Sequence, residues 1–181
     1  MDSRVKVKIF LSRIWIKTKP IFTIGYKLRD LMEVDKLMPS FGTKSRFELD
    51  SCHDDIQDVC NIAILHRDFS VTEGKRSEDQ QKNNMASGVS KTLNSKHVYP
   101  LGEPSNAVDI QPYPFRGWPS EEGISETEKL LRLKDFNTLA SYIIGVGHGM
   151  GINLISGMDW DGDWDFTDQS FHDLPHIQRD I

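Results

Sequence analysis

The segment that most constrains the fold runs from Ser125, where Leu130, Leu131, Leu133, Phe136, Leu139, Ala140 and Ile143 recur at helical spacing. Ser125, with Glu128 three positions later, supplies a capping-box start, and Gly145 is the expected stop. The glycines at 145, 147, 149 and 151 do not spell a dinucleotide fingerprint and follow a helix, so they are expected to turn the chain into a strand. Shorter elements surround this helix. Ser51 to His66 carries Ile56, Val59, Cys60, Ala63 and Ile64 at helical spacing, with Ser51 as the expected cap. Phe69 to Thr72 is β-prone and ends at Glu73-Gly74. Ser77 caps a polar helix to Ala86, Ala107 to Ile110 reads as a strand closed by Pro112 and Pro114, and Gly151 to Ile155 reads as a third strand. A last short strand lies near Leu174 to Gln178. This order predicts an α+β fold, a small and mainly antiparallel sheet flanked by helices.

Charge divides the chain in two. Residues 1–36 hold 9 Lys and Arg against 4 Asp and Glu; the rest hold 22 − 9 = 13 against 27 − 4 = 23. A basic extension over residues 1–36 thus precedes an acidic body, residues 37–181, which ill suits sequence-independent nucleic-acid binding. The extension alternates basic and apolar residues. Its longest uncharged run, Pro20 to Tyr26, is far too short to span a membrane, and Arg13, Lys17 and Lys19 interrupt the apolar stretch that a secretory signal needs. An edge strand or a loosely ordered extension is preferred to its alternative, a weak contact with an anionic membrane or wall polymer. Without such a signal, the protein is expected to be made in the cytoplasm and to act elsewhere through another route. Cys52 and Cys60 sit eight apart in one expected helix, ~12 Å between Cα atoms, so free thiols are expected.

Three places combine metal-competent side chains with turn chemistry: Ser95-Lys96-His97 leading to Ala107-Val108-Asp109, His172-Asp173-Leu174-Pro175-His176, and the alternating Asp159, Asp161, Asp163 and Asp165. Two histidines and a carboxylate with an open fourth position make a workable catalytic zinc shell. A hydrolase also needs a carboxylate near the attacking water. Asp173 suits that second task, because Pro175 starts a strand from which His176 projects while Asp173 stays in the preceding loop. His172 beside it is placed to hydrogen-bond a developing oxyanion. The acidic loop alternates as calcium ligands do, but positions six and twelve from Asp159 are Trp164 and Ser170, so it is not an EF-hand. A solvated loop bordering the cleft is preferred to a calcium site at Asp159, Asp161 and Asp163.

Val71-Thr-Glu-Gly-Lys-Arg76-Ser-Glu-Asp-Gln80, Ser95-Lys-His97, Ala107-Val-Asp109, Asp159-Trp-Asp-Gly-Asp163 and Asp168-Gln-Ser-Phe-His-Asp173-Leu-Pro-His176 together resemble the phage-type L-alanyl-D-glutamate peptidases. These are zinc endolysins of the D-Ala-D-Ala carboxypeptidase and Hedgehog-like superfamily. The resemblance implies one zinc per chain on His97, Asp109 and His176, Asp173 as catalytic base, and Arg76 with Gln80 at the site, binding or polarising the substrate. Ser95 would orient the loop that holds His97. The implied substrate is the peptidoglycan stem peptide, cut between L-Ala and D-Glu by a monomeric enzyme at the cell wall. Twelve positions separate His97 from Asp109, against seven in the family's compact motif, so the loop between them carries an insertion. The alternatives are a D-Ala-D-Ala carboxypeptidase or dipeptidase of the same fold, and a non-catalytic zinc-containing wall-binding protein. Asp173 argues for an enzyme.

Overall fold

A computed structural model describes residues 38–100 and 102–181; the expectations for the basic extension, residues 1–36, lie outside them. In chain order the described residues form α1 (Thr43–Asp50), α2 (Asp54–Ala63), β1 (Phe69–Glu73), α3 (Glu78–Ala86), β2 (Ala107–Pro112), α4 (Glu126–Met150), β3 (Leu154–Ser156) and β4 (His176–Arg179). The strands make one sheet in the order β1-β2-β4-β3, antiparallel at each junction. The α+β architecture read from the sequence is the one observed.

Local chemistry explains most element starts. Ser77 Oγ accepts the Gln80 N–H at 3.1 Å, and Ser125 Oγ accepts the Glu128 N–H at 3.2 Å, so both serines cap as expected. Ser51 does not cap α2. His53 does, its Nδ1 accepting the Asp55 N–H at 3.2 Å, while the Ser51 hydroxyl turns to the Glu48 carbonyl and the Lys75 N–H.

The expected stop at Gly145 is also corrected, because α4 runs on to Met150. Glycine inside a helix costs only ~1 kcal/mol, which neighbouring contacts can offset. At Gly147 the open side admits the next strand: a Cβ there would sit 3.0 Å from the Ile152 carbonyl and 3.2 Å from Leu154 Cδ1. The helix ends at Gly151, whose φ of +75° suits glycine, with the Ile152 N–H returning to the Gly147 carbonyl at 2.9 Å. The third strand therefore starts at Leu154.

The core lies between the sheet and the helix pair α2 and α4. Ile56, Val59 and Cys60 of α2 and Leu139, Ala140 and Ile143 of α4 are buried with Val71, Val108, Ile110, Leu154 and Ile177 of the strands. Strand alternation does the rest. With Val108 and Ile110 committed to the core, Asp109 faces the other side; with Ile177 committed, so do His176 and Gln178. Cys52 and Cys60 are free and each 1% exposed. Burial pushes the Cys52 thiol up to about 12 and raises Cys60 as well.

Candidate active site

β2 and β4 set Asp109 and His176 directly opposite one another on the face turned away from the core. His97 joins them from the loop between α3 and β2. Ser95 shapes that loop, its Oγ accepting the His97 N–H at 3.3 Å and its carbonyl the Val98 N–H at 3.0 Å. The Arg76 N–H then ties the loop to the segment after β1 by donating to the His97 carbonyl at 2.9 Å. His97 Nε2 lies 3.1 Å from Asp109 Oδ1 and 3.1 Å from His176 Nδ1, and His176 Nδ1 lies 3.4 Å from Asp109 Oδ1. Ligand atoms bound tetrahedrally at ~2.0–2.1 Å stand ~3.4 Å apart, so the triangle has the size of a zinc shell.

Proton bookkeeping tests the fit. His97 Nδ1 lies 2.6 Å from the Gly74 carbonyl, which can only accept, so that nitrogen carries a proton. His176 Nε2 likewise faces Gln178 Oε1 at 3.0 Å. As neutral imidazoles both histidines then present lone pairs to each other and to a carboxylate, an arrangement that positive charge satisfies, a metal ion when bound and a proton in the metal-free protein. Electrostatics says the same of the metal-free protein. Burial pushes His97 down, but the hydrogen bond and charge of Asp109 and the Gly74 carbonyl outweigh it, and its pKa ends above the usual 6.5. Burial pushes Asp109 up, yet hydrogen bonds from His176 and His97 hold it well below the carboxylate range. The pocket is built for positive charge beside Asp109.

Asp173 reaches this centre through a turn strapped to Gly157. The Asp173 N–H donates to the Gly157 carbonyl at 2.8 Å, the Gly157 N–H to the His176 carbonyl at 2.8 Å, and the His176 N–H to the Asp173 carbonyl at 3.2 Å. A Cβ on Gly157 would lie 2.5 Å from the Asp173 carbonyl oxygen and 2.8 Å from its Cβ. Burial, then the charge of Asp109, pushes the Asp173 carboxyl up, opposed by His176, His97 and Arg76. A carboxylate raised in this way is a stronger base than an ordinary aspartate. Because the Gly157 contact is with backbone, Gly157→Ala must shift the turn that carries Asp173. Misplacement by about 1 Å can cost ~10²-fold in rate. Turnover should fall by at least ~10-fold while circular dichroism reports an intact fold, and wild-type turnover would show that the turn yields freely.

Arg76 stands beside the triad, Nη2 3.9 Å from Asp109 Oδ2, and is only 9% exposed. Its Nε donates to Glu73 Oε1 at 2.9 Å, its Nη2 to Glu73 Oε2, and its Nη1 to Gln81 Oε1 at 2.6 Å. Gln80 joins the same network, Nε2 donating to Glu73 Oε1 at 2.7 Å. Glu73 and Gln81 went unnoticed in the sequence. Glu73 lay inside the quoted motif with an arginine three positions on, whereas nothing distinguished Gln81 in a uniformly polar helix. A cleft of about 580 Å³ opens at Asp109, with Phe47, Glu73, Gln80 and Trp118 among its walls. His172 is exposed on the loop before Asp173.

The acidic loop borders the site, the Trp160 ring lying 5.4 Å from that of His176 and its Nε1 donating to the Phe171 carbonyl at 2.9 Å. One oxygen each of Asp159, Asp161 and Asp163 falls within 4.8 Å of the others. The carboxylates hold the loop itself together. Asp159 accepts the Gly162 and Trp164 N–H groups at 2.9 and 3.0 Å, and Asp163 the Asp165 N–H at 2.8 Å.

Residues 38–179 match the sequence family described as phage L-alanyl-D-glutamate peptidase. No curated protein matches the chain. Among solved structures it is similar to the crystal structure of the Serratia marcescens L-Ala D-Glu endopeptidase ChiX, with 23% identity and a TM-score of 0.58, over 81% of this chain and 94% of that one. That likeness is one of fold.

Proposed function

We propose, for a chain that belongs to the phage L-alanyl-D-glutamate peptidase family, that His97, Asp109 and His176 hold one zinc ion beside which Asp173 hydrolyses the stem peptide. The family's reaction makes the chain a peptidoglycan hydrolase that opens the bond between L-Ala and D-Glu. The observation that carries the zinc reading is the set of three lone-pair atoms within 3.4 Å of one another, the outer histidine nitrogens facing oxygen acceptors. When bound, zinc supplies Lewis acidity toward the scissile carbonyl and makes a water nucleophilic near pH 7.

The chain's own residues do the rest. Asp173, ionised, takes the proton of the attacking water and delivers it to the departing amine of D-Glu. Its raised pKa favours the first half of that task, since burial and the charge of Asp109 make it a stronger base than an ordinary aspartate. Arg76 contributes a fixed positive charge beside Asp109 as negative charge develops on the carbonyl oxygen. Gln80 and Glu73 line the cleft in which the peptide lies, and His172 is the exposed donor nearest the base along the chain. The substrate lies in the cell wall, and no helix of the described residues is long and apolar enough to cross a membrane.

Digestion of purified peptidoglycan followed by mass analysis of the new ends tests this reading. Expected products carry L-Ala carboxyl ends and D-Glu amino ends, disappear after chelation and return with zinc. Release of free D-Ala would instead mark a carboxypeptidase. Activity indifferent to chelation would remove the metal.

A further inference from the structure

We propose that Glu73 is a positioning residue that holds Arg76 off Asp109 and so keeps that carboxylate available to the metal; the inference rests on the zinc reading above. The sheet creates the need for it. The register of β1 against β2 slips between Val71 and Glu73, so that Glu73 and not Thr72 stands across from Asp109. Bulges next to active sites re-aim side chains in this way. Glu73, Asp109 and His176 then form a row across three neighbouring strands. Two carboxylates facing each other across a ladder repel, and Arg76 is the cation between them.

Arginine favours a two-pronged pair with whichever carboxylate it can reach. Here both prongs, Nε and Nη2, go to Glu73, and Nη1 goes to Gln81. Asp109 Oδ2 is left 3.9 Å from Nη2, beyond hydrogen-bonding range, while Asp109 Oδ1 faces the two histidines. Glu73 is itself fixed from the cleft side by the Gln80 amide, and Gln81 is anchored by Ser90 Oγ and the Thr92 carbonyl at 2.8 and 2.5 Å. Remove the charge on Glu73, and the nearest carboxylate for the guanidinium is Asp109. An Asp109 engaged by arginine is a poorer donor to zinc.

The test measures zinc affinity on the purified full chain by competition with a chromophoric chelator. Glu73→Gln should bind zinc 10–100-fold more weakly, the range found for partners that orient metal ligands. Arg76→Gln should bind it at least as well as wild type, and adding Arg76→Gln to Glu73→Gln should restore the affinity, because nothing is then left to capture Asp109. A merely structural Glu73 would give a double variant no better than the single one. That result, or an unchanged affinity in Glu73→Gln, overturns the inference. Should metal-free Glu73→Gln fail to fold by circular dichroism, Glu73→Asp, which withdraws the charge by one methylene, must show the same weakening and the same rescue, and its failure to do so overturns the inference equally. A wild-type chain that takes up no zinc overturns the metal reading and this inference together, whereas zinc-binding wild type with an unaffected Glu73 variant overturns this inference alone.

Discussion

Asp173→Asn should retain fold and zinc but lose ~10²–10⁴-fold in kcat, the range for a missing general base. The amide has the shape of the carboxylate and cannot accept the water's proton. The turn that carries it is held by backbone groups, the Asp173 N–H on the Gly157 carbonyl and the His176 N–H on the Asp173 carbonyl, so the substitution leaves the strap in place. A pH profile separates this from a folding defect. The base must be ionised to act, and its pKa is raised above 3.8 by burial and by Asp109. Bound zinc adds positive charge that lowers this value, so wild-type turnover should fall as pH drops through the pKa that Asp173 has in the metal-loaded enzyme. The residual rate of Asp173→Asn should lack this limb, with metal content followed in parallel. Near wild-type turnover would assign the base elsewhere.

His97→Ala should abolish turnover outright, because it removes a ligand and leaves the Gly74 carbonyl without its 2.6 Å partner. Metal analysis should find about one zinc in wild type and far less in the variant. Thermal melts add a readout independent of catalysis. A ligand that binds only the folded chain stabilises it by ~2.7 kcal/mol at a hundred times its Kd, so zinc should raise the melting temperature of wild type and leave His97→Ala unmoved. Acid should act in the same direction as the substitution. Zinc displaces a proton from His97, whose metal-free pKa lies above 6.5, so affinity should fall as pH drops through that value. Equal zinc in both proteins would dismiss His97 as a ligand.

The parts of the fold written in local chemistry were legible in the sequence. Ser77 and Ser125 announced α3 and α4 because a cap needs only its own hydroxyl and an N–H three residues on. Alternation around Asp109 foretold a strand, and the ordered motifs brought His97, Asp109 and His176 into view by resemblance. What stayed hidden depends on distant partners. α1 presents an almost wholly polar octet in which Leu49 alone is buried, so no periodicity marked it. Gly145 looked like a stop because nothing in the sequence says that α4 continues against β3. Gly157 carries no motif, and its necessity comes from a loop sixteen residues away. Glu73 acquires its place from a slipped register, which no pattern of residues encodes.

The two thiols sealed behind the sheet also have a practical side. Burial holds Cys52 near 12 and lifts Cys60 as well, so at neutral pH neither offers the thiolate that oxidants and alkylating reagents attack. The folded enzyme should be indifferent to the redox poise of its surroundings and need no reductant in storage. Each sulfur becomes reactive only when the α2 region opens, which turns an ordinary thiol-labelling reagent into a clock: the rate at which label appears reports how often the native chain comes apart.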